Sequence, residues 1–137
     1  NPVHFKNRRN DMFWVSFAGP FSNFVLAFFS AWIYGMTASY GHHVMDPAMV
    51  QILMDLSHIG IYLNLALFFF NLIPVAPLDG SKIIGRFLPS GMSDFFENIH
   101  PLYGSFILLG LLMSGLLKYL AIPIYGVGNA LQQLFIF

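Results

Sequence analysis

Two long stretches without a formal charge constrain this sequence more than any other feature. No Asp, Glu, Lys or Arg lies between Asp11 and Asp46, and none lies between Asp55 and Asp79. A helix needs about 20 consecutive apolar residues to cross the hydrocarbon core of a bilayer. Only 9% of the residues are charged and 57% are hydrophobic, against about 25% and 45–50% in soluble domains. The sequence therefore predicts a membrane protein.

The rest of the composition excludes other classes of protein. There is no cysteine, which excludes a disulfide scaffold, a thiolate nucleophile and a zinc site made of cysteines. Six basic and six acidic residues give a net charge of zero. Because nucleic-acid-binding proteins carry a basic surface, we expect no nucleic acid partner. Aromatic residues make up 18% of the chain, which is too many for a disordered protein.

We predict an all-α, polytopic membrane helix bundle that forms a single membrane-embedded domain over residues 1–137. Charge-free runs predict three spans and a possible further helix, over residues 13–40, 50–78, 98–117 and 119–137. The second span should break at Pro74 and Pro77. A proline has no backbone N–H to donate, and it also disfavours helical geometry in the residue before it.

The distribution of basic residues predicts the orientation in a cell membrane. Basic side chains precede the first span and follow the second, at Lys6, Arg8, Arg9, Lys82 and Arg86. The connection at 41–55 has none. Because cytoplasmic loops carry an excess of Lys and Arg, we expect residue 1 and the segment 79–97 on the cytoplasmic side of a multi-pass protein. Residues 41–55 should lie outside, with Asp46 and Pro47 starting a helix.

The segment from Asn71 to Gly80 is the strongest candidate for a functional site. Pro74 and Pro77 leave backbone carbonyl groups without helical donors, and such groups are tolerated at membrane depth only where protein or water covers them. We therefore expect this segment to line a wet, internal site. Asp79 has two interpretations that the sequence leaves open: it caps a short helix from Gly80 to Leu88, or it is a functional carboxylate.

Small and weakly polar residues recur along one face of each of the first two spans. They are Ser16, Gly19, Asn23, Ala27 and Ser30 in the first, and Ser57, Gly60, Asn64 and Asn71 in the second. Such stripes let membrane helices approach each other closely. We interpret Ser57, Gly60 and Asn64 as packing residues. For Asn23 packing and a specific polar role both remain open, because an amide inside a span needs a partner.

The histidines are weaker candidates for metal ligands. His42 and His43 are adjacent, so on a helix they point about 100° apart. The pairs Asp55–His58 and Glu97–His100 each supply half of a di-metal pattern. No His-Glu-x-x-His sequence occurs in the chain.

Two segments together resemble the site-2 proteases, the intramembrane zinc metallopeptidases of class M50. FNLIPVAPLDGSKII at 70–84 is similar to their Asn-x-x-Pro-x-x-Pro-Leu-Asp-Gly element. SFAGPFSNFVLA at 16–27 resembles the Ala-Gly-Pro-x-x-Asn opening of another core helix of that family. The order and separation of the two also fit, as does the lead-in NPVHFKNRRND, and the resemblance covers about residues 1–90.

This resemblance implies hydrolysis of peptide bonds in membrane-spanning or peptide substrates within the lipid bilayer. In the family, Zn²⁺ is held by two histidines of His-Glu-x-x-His and by the aspartate of Leu-Asp-Gly, which corresponds to Asp79. The resemblance also implies that Asn71 contacts the substrate or the developing oxyanion, and that Asn23, Pro74 and Pro77 line the substrate site. The two histidines are expected upstream of Asn1. The alternative is a non-enzymatic membrane protein, either a relative that lost catalysis or a transporter or assembly subunit.

Overall fold

The computed structural model describes residues 8–75, 78–89, 91–92, 98 and 101–136. Helices make up its regular structure, and no strand occurs in the described part of the chain. Within the described residues the α-helices with given bounds are α1 Arg8–Val44, α2 Pro47–Asn71, α3 Gly80–Gly85, α4 Pro101–Ser114 and α5 Ala121–Phe135, with a 3₁₀ helix at Leu116–Leu120 before the last. The predicted all-α fold is confirmed.

Two of these helices are long and apolar enough to cross a membrane, namely Asn10–Val44 and Pro47–Asn71. The predicted third and fourth spans are not confirmed as separate spans. α4 has 14 residues and α5 has 15, which at a rise of about 1.5 Å per residue is shorter than the hydrocarbon core. They are long and apolar enough to cross a membrane only when the bent pair Leu102–Ser114 and Leu116–Phe135 is taken as one span. The break is at Gly115, whose φ of 79° ends a right-handed helix.

α2 begins and ends at positions set by proline. It starts at Pro47, as predicted, because proline suits the first turn, where a helix has no use for the N–H. It ends at Asn71, short of the predicted limit at residue 78. The helix stops before Pro74 because the residue preceding a proline disfavours the α conformation.

The described residues form two compact units. We call the chain up to Phe21 together with Phe69–Tyr119 the loop unit, because it contains the segment that follows α2. We call Ser22–Phe68 together with the chain from Leu120 onward the hairpin unit.

Close approach of helices holds the hairpin unit together. Small residues of α1 and apolar residues of α2 form its core, where Ala27, Ala31, Ile61 and Leu65 are fully buried. A Cβ on Gly60 would contact Ser30 Oγ, so the two backbones lie as close as this pair of residues allows. The packing interpretation is confirmed for Gly60. Ser57 and Asn64 instead bond to their own helix, at the carbonyls of Leu53 and Gly60.

The last helix packs on this hairpin through two further glycines. A Cβ on Gly35 would clash with the backbone of Phe135, and a Cβ on Gly128 would clash with the ring of Tyr62. Small residues at such positions let membrane helices come into direct van der Waals contact. α5 is therefore part of the hairpin unit through contacts with both α1 and α2.

Candidate functional site

Backbone groups in the segment after α2 form several hydrogen bonds with one another. A regular helix would have bonded the carbonyl of Phe70 to the N–H of residue 74, which proline lacks. The N–H of Ile73 donates to this carbonyl instead, at 3.1 Å. Two tight turns follow, from the N–H of Val75 to the carbonyl of Ile73 at 2.8 Å and from the N–H of Leu78 to the carbonyl of Val75 at 2.9 Å. Beyond the end of α2, the N–H groups of Ile73, Val75 and Leu78 thus have backbone acceptors.

Gly80 packs directly against the residues that follow α2. A Cβ at this position would clash with the backbone carbonyls of Leu72 and Ile73. The chain therefore folds back so that the first residue of α3 lies against the residues that follow α2. Only glycine permits so close an approach of one backbone to another. The contact fixes the position of the neighbouring residue, Asp79.

Asp79 occupies the N-cap position of α3, but its side chain makes no capping hydrogen bond. Its backbone is already helical, with φ −72° and ψ −17°, whereas a capping side chain normally needs an extended backbone. Its carbonyl accepts the N–H groups of Lys82 and Ile83, both at 3.1 Å. Of the two interpretations left open by the sequence, the capping one lacks its defining bond, and the carboxylate is available for another partner.

The carboxylate of Asp79 lies beside Gly19 of α1. Its Oδ2 is 3.4 Å from the point where a Cβ of residue 19 would be. Asp79 is half-buried, whereas Gly19 is exposed. This contact brings together the two sequence segments that carried the family resemblance, Ala-Gly-Pro and Leu-Asp-Gly.

The residues directly after α3 contact the start of α1. Arg86 lies over the ring of Phe13 at 5.1 Å, and Phe87 meets the same ring edge-on at 5.7 Å. Ile83 and Ser81 are buried. The segment directly after α3 thus contacts the helix that carries Gly19.

Two cavities flank this part of the loop unit. One, of about 150 Å³, has charged and apolar walls made by Asp11, Met12, Val15, Ser16 and Lys82. The other, of about 290 Å³, is apolar and is lined by Phe70 and by residues that follow it in the loop unit, Ser105, Leu108, Leu109, Leu112 and Leu117. Phe70 directly precedes Asn71, so the apolar cavity adjoins the end of α2.

The other predicted site residues lie as follows. Asn71 is the last residue of α2 and is half-buried, and Pro74 is half-buried in the loop after it. Pro77 falls outside the described residues. Asn23 is half-buried on α1 and belongs to the hairpin unit. Of these residues, the structure places Asn71, Pro74 and Asp79 in the same unit.

A polar cluster in the hairpin unit was missed by the sequence analysis. His58 Nδ1 is 2.8 Å from Gln132 Nε2, and the hydroxyl of Tyr62 donates to Asn129 Oδ1 at 2.7 Å. The spacing of these residues is helical within each segment. Nothing in the sequence, however, paired the segment at 58–62 with the segment at 129–132. The cluster gives His58 a partner on another helix.

Among the described residues, no three His, Cys, Asp or Glu side chains form a group that could hold a metal ion. Asp55 accepts a hydrogen bond from Gln51 at 2.9 Å and lines a cavity of about 240 Å³ with His58. That pair lacks a third ligand of these types. Asp79 likewise supplies a single carboxylate, so a metal held there needs further ligands.

Comparison with known proteins gives one family and one relative. The family described as Peptidase family M50 matches over residues 4–111. A protein of Bacillus subtilis (strain 168) named "Putative zinc metalloprotease YwhC" is 35% identical over 129 residues, which is 94% of this chain and 58% of that protein. The chain thus spans little more than half the length of that relative. No solved structure matches the chain.

Proposed function

The chain belongs to peptidase family M50, and from this premise we propose that it forms part of an intramembrane zinc metalloprotease of the site-2 type. The proposal assigns Asp79 as one zinc ligand. It assigns the other two ligands to histidines of a segment preceding Asn1. The relative from Bacillus subtilis extends well beyond the region matched here, which leaves room for such a segment in a protein of that size.

The observation that carries the proposal is the position of the Asp79 carboxylate. It forms no capping hydrogen bond with α3, and its Oδ2 lies 3.4 Å from the position of a Cβ on Gly19 of α1. A half-buried carboxylate that does not cap its helix suits a zinc ligand, because Zn²⁺ binds carboxylate oxygens at about 2.0–2.2 Å. The residues present therefore fit the group that the family implies.

A zinc ion held by two imidazoles and one carboxylate keeps a fourth position for water and lowers the pKa of that water toward 7. The role of this chain is to hold the carboxylate in place. The contact of Gly80 with the carbonyls of Leu72 and Ile73 and the packing of Arg86 and Phe87 on Phe13 restrict its movement. Positioning of this kind supports metal affinity, because ligands fixed in advance lose less entropy on binding.

The residues around the loop provide a place for substrate. We assign Asn71 to a hydrogen bond with the substrate backbone or with the oxyanion that develops on its carbonyl. We assign Pro74 of the same unit to this lining; the roles of Asn23 and Pro77 rest on the family resemblance alone. The apolar cavity next to Phe70 suits an apolar side chain of a membrane-spanning segment. The substrates are accordingly membrane proteins or peptides within the bilayer, and nucleic acid is not among the partners.

We place residue 1 and the segment 79–97 on the cytoplasmic side of the cell membrane. The basic residues Lys82 and Arg86 follow Asp79 closely in the chain, and such residues are retained on the cytoplasmic side. The site would then open toward the cytoplasm, and 41–55 would face outward.

Replacing Asp79 with Asn in the longer protein tests the assignment. Asn is the same size and still caps helices well, so the protein should insert and fold normally. It lacks an anionic oxygen for zinc, so zinc content per protein should fall by at least tenfold and proteolysis of a membrane-spanning substrate should be lost. Zinc is measured by elemental analysis after purification in detergent.

The matched control is Asp11→Asn, which removes a carboxylate of the same loop unit that lines the small cavity with Lys82. This variant should retain zinc and activity. Full zinc content and activity in the Asp79→Asn protein would remove Asp79 from the site. Absence of zinc and of proteolysis in the unaltered protein would favour the non-enzymatic alternative.

A further inference from the structure

We propose that a cavity in the hairpin unit binds an organic ammonium group through the carboxylate of Asp55. The cavity has a volume of about 240 Å³, and its walls are formed by Tyr34, Gln51, Met54, Asp55 and His58. All of these residues belong to the hairpin unit. The proposal concerns a second site, so its test does not depend on the zinc ligand assigned at Asp79.

The position of Asp55 in the chain favours a bound cation. It lies about two turns after the start of α2, a helix long and apolar enough to cross a membrane. A charged side chain inside such a helix is costly, and it marks a functional site by default. All six Lys and Arg residues of the chain lie in the loop unit, so the hairpin unit contains none. No such side chain of its own unit can balance the charge of Asp55.

The carboxylate of Asp55 is oriented by its own helix and is accessible. Gln51 Nε2 donates to Asp55 Oδ1 at 2.9 Å. An ionised carboxylate has acceptor positions on both oxygens, and a neutral amide does not compensate its charge. Asp55 is exposed, so a cation can reach it from outside the hairpin unit.

The contacts of His58 favour an ammonium group over a metal ion. Gln132 Nε2 lies 2.8 Å from His58 Nδ1. An amide nitrogen only donates, so Nδ1 accepts, and the proton of the neutral ring is on Nε2. The hydrogen bond to one ring nitrogen decides which nitrogen can bind a metal. In His58 one nitrogen is thus taken by Gln132 and the other by a proton, which leaves Asp55 as the group that attracts a cation.

The size and walls of the cavity suit a cation that carries carbon atoms. A volume of about 240 Å³ is several times the roughly 30 Å³ of a water molecule in the liquid, so a bare ion would fill little of it. Tyr34 and His58 lie side by side, with ring centroids 6.3 Å apart, and Met54 adds an apolar wall. Aromatic rings attract organic cations over their faces. Such ammonium groups occur in free amines and in the headgroup of phosphatidylethanolamine.

Lipid retention by the longer protein in detergent, measured by native mass spectrometry, tests the proposal. The probe is dioleoylphosphatidylethanolamine, and dioleoylphosphatidylglycerol has the same acyl chains and phosphate but no amine. We expect about tenfold stronger retention of the amine lipid, as for a hydrogen bond to a charged group. Asp55→Asn should remove this preference, because Asn keeps the size and an acceptor for Gln51 but lacks the charge.

Two further variants separate binding from folding. Asp46→Asn removes the other acidic residue of the hairpin unit, which is not among the residues that line the cavity. Asn is as good as Asp at the start of a helix, so this control should retain the amine lipid normally. Tyr34→Leu keeps the charge of Asp55 and should weaken retention about threefold through loss of the ring.

Ethanolamine, titrated into the same proteins by calorimetry, distinguishes the two sources of the ammonium group. Binding of ethanolamine without a preference for the amine lipid, abolished in Asp55→Asn, would support the site and identify a free amine as its ligand. Retention of the amine lipid by Asp55→Asn at the level of the unaltered protein would overturn the proposal. Equal retention of both lipids by the unaltered protein, with no binding of ethanolamine, would overturn it as well.

Discussion

Glycines in the hairpin unit and glycines beside Asp79 serve different purposes. Gly60 and Gly128 each lie directly against a side chain of a neighbouring helix, Ser30 and Tyr62 respectively. In the loop unit, Gly80 lies against backbone carbonyls, and the Cβ position of Gly19 is next to a carboxylate oxygen. Gly60 and Gly128 thus bring helices together, whereas Gly80 brings two stretches of backbone together next to Asp79.

The Asp79 side chain differs from the polar side chains of the hairpin unit. In the hairpin unit, Ser57 and Asn64 bond to carbonyls of their own helix, and Tyr62 donates to Asn129. These bonds satisfy groups that would otherwise be unpaired in an apolar environment. The Asp79 side chain, by contrast, does not cap the helix that it precedes. Other polar side chains of the loop unit do bond to nearby carbonyls, as Ser81 does to Leu78 and Ser114 to Leu111, so the contrast concerns the Asp79 carboxylate.

Among the variants that test this comparison, Gly80→Ala should have the largest effect on stability and on zinc binding. The new Cβ would clash with the carbonyls of Leu72 and Ile73, and rigid backbone yields less easily than a flexible side chain. Overpacking of this kind costs about 1–3 kcal/mol, and it should displace Asp79 as well. We expect a lower unfolding temperature and loss of bound zinc in the longer protein. A variant that keeps both would show that the loop does not depend on this contact.

A smaller and purely structural effect is expected from Gly60→Ala. The added Cβ would push against Ser30 and should lower the stability of the hairpin unit by about 1 kcal/mol. Zinc affinity should not change. Combining it with Ser30→Gly removes the opposing side chain and should restore part of the lost stability, as thermal unfolding of the double variant would reveal. A loss of zinc affinity in Gly60→Ala would abolish the distinction between the two units.

The sequence predicted the features that depend on local chemistry. The two charge-free stretches predicted the positions of α1 and α2, and Pro47 predicted the start of α2. Prolines predicted that a regular helix stops within the segment at 71–80. The exact end of α2 at Asn71 was not predicted. The helix ends before Pro74 is reached, and the residues that follow form short turns of their own.

Features that depend on contacts between distant segments were not predictable in the same way. Whether Asp79 caps α3 or keeps its carboxylate available depends on a loop closed by Gly80 and on a neighbour from α1, Gly19. The pairing of His58 with Gln132 joins segments from opposite ends of the hairpin unit. The predicted spans after residue 98 are not confirmed, because the apolar run there is divided at Gly115 into two helices that are each too short to cross alone.

The central claim, that residue 79 is a metal ligand, is tested most directly by its replacement with cysteine. Soft thiolates bind first-row transition metals strongly, so cobalt(II) in the site of Asp79→Cys should produce a thiolate-to-cobalt charge-transfer band in the near ultraviolet. This chain has no native cysteine, and Ser81→Cys places a control thiol two positions along α3.

We predict the band in Asp79→Cys and not in Ser81→Cys or in the unaltered protein. Cobalt bound by the Asp79→Cys protein with no such band would contradict the claim.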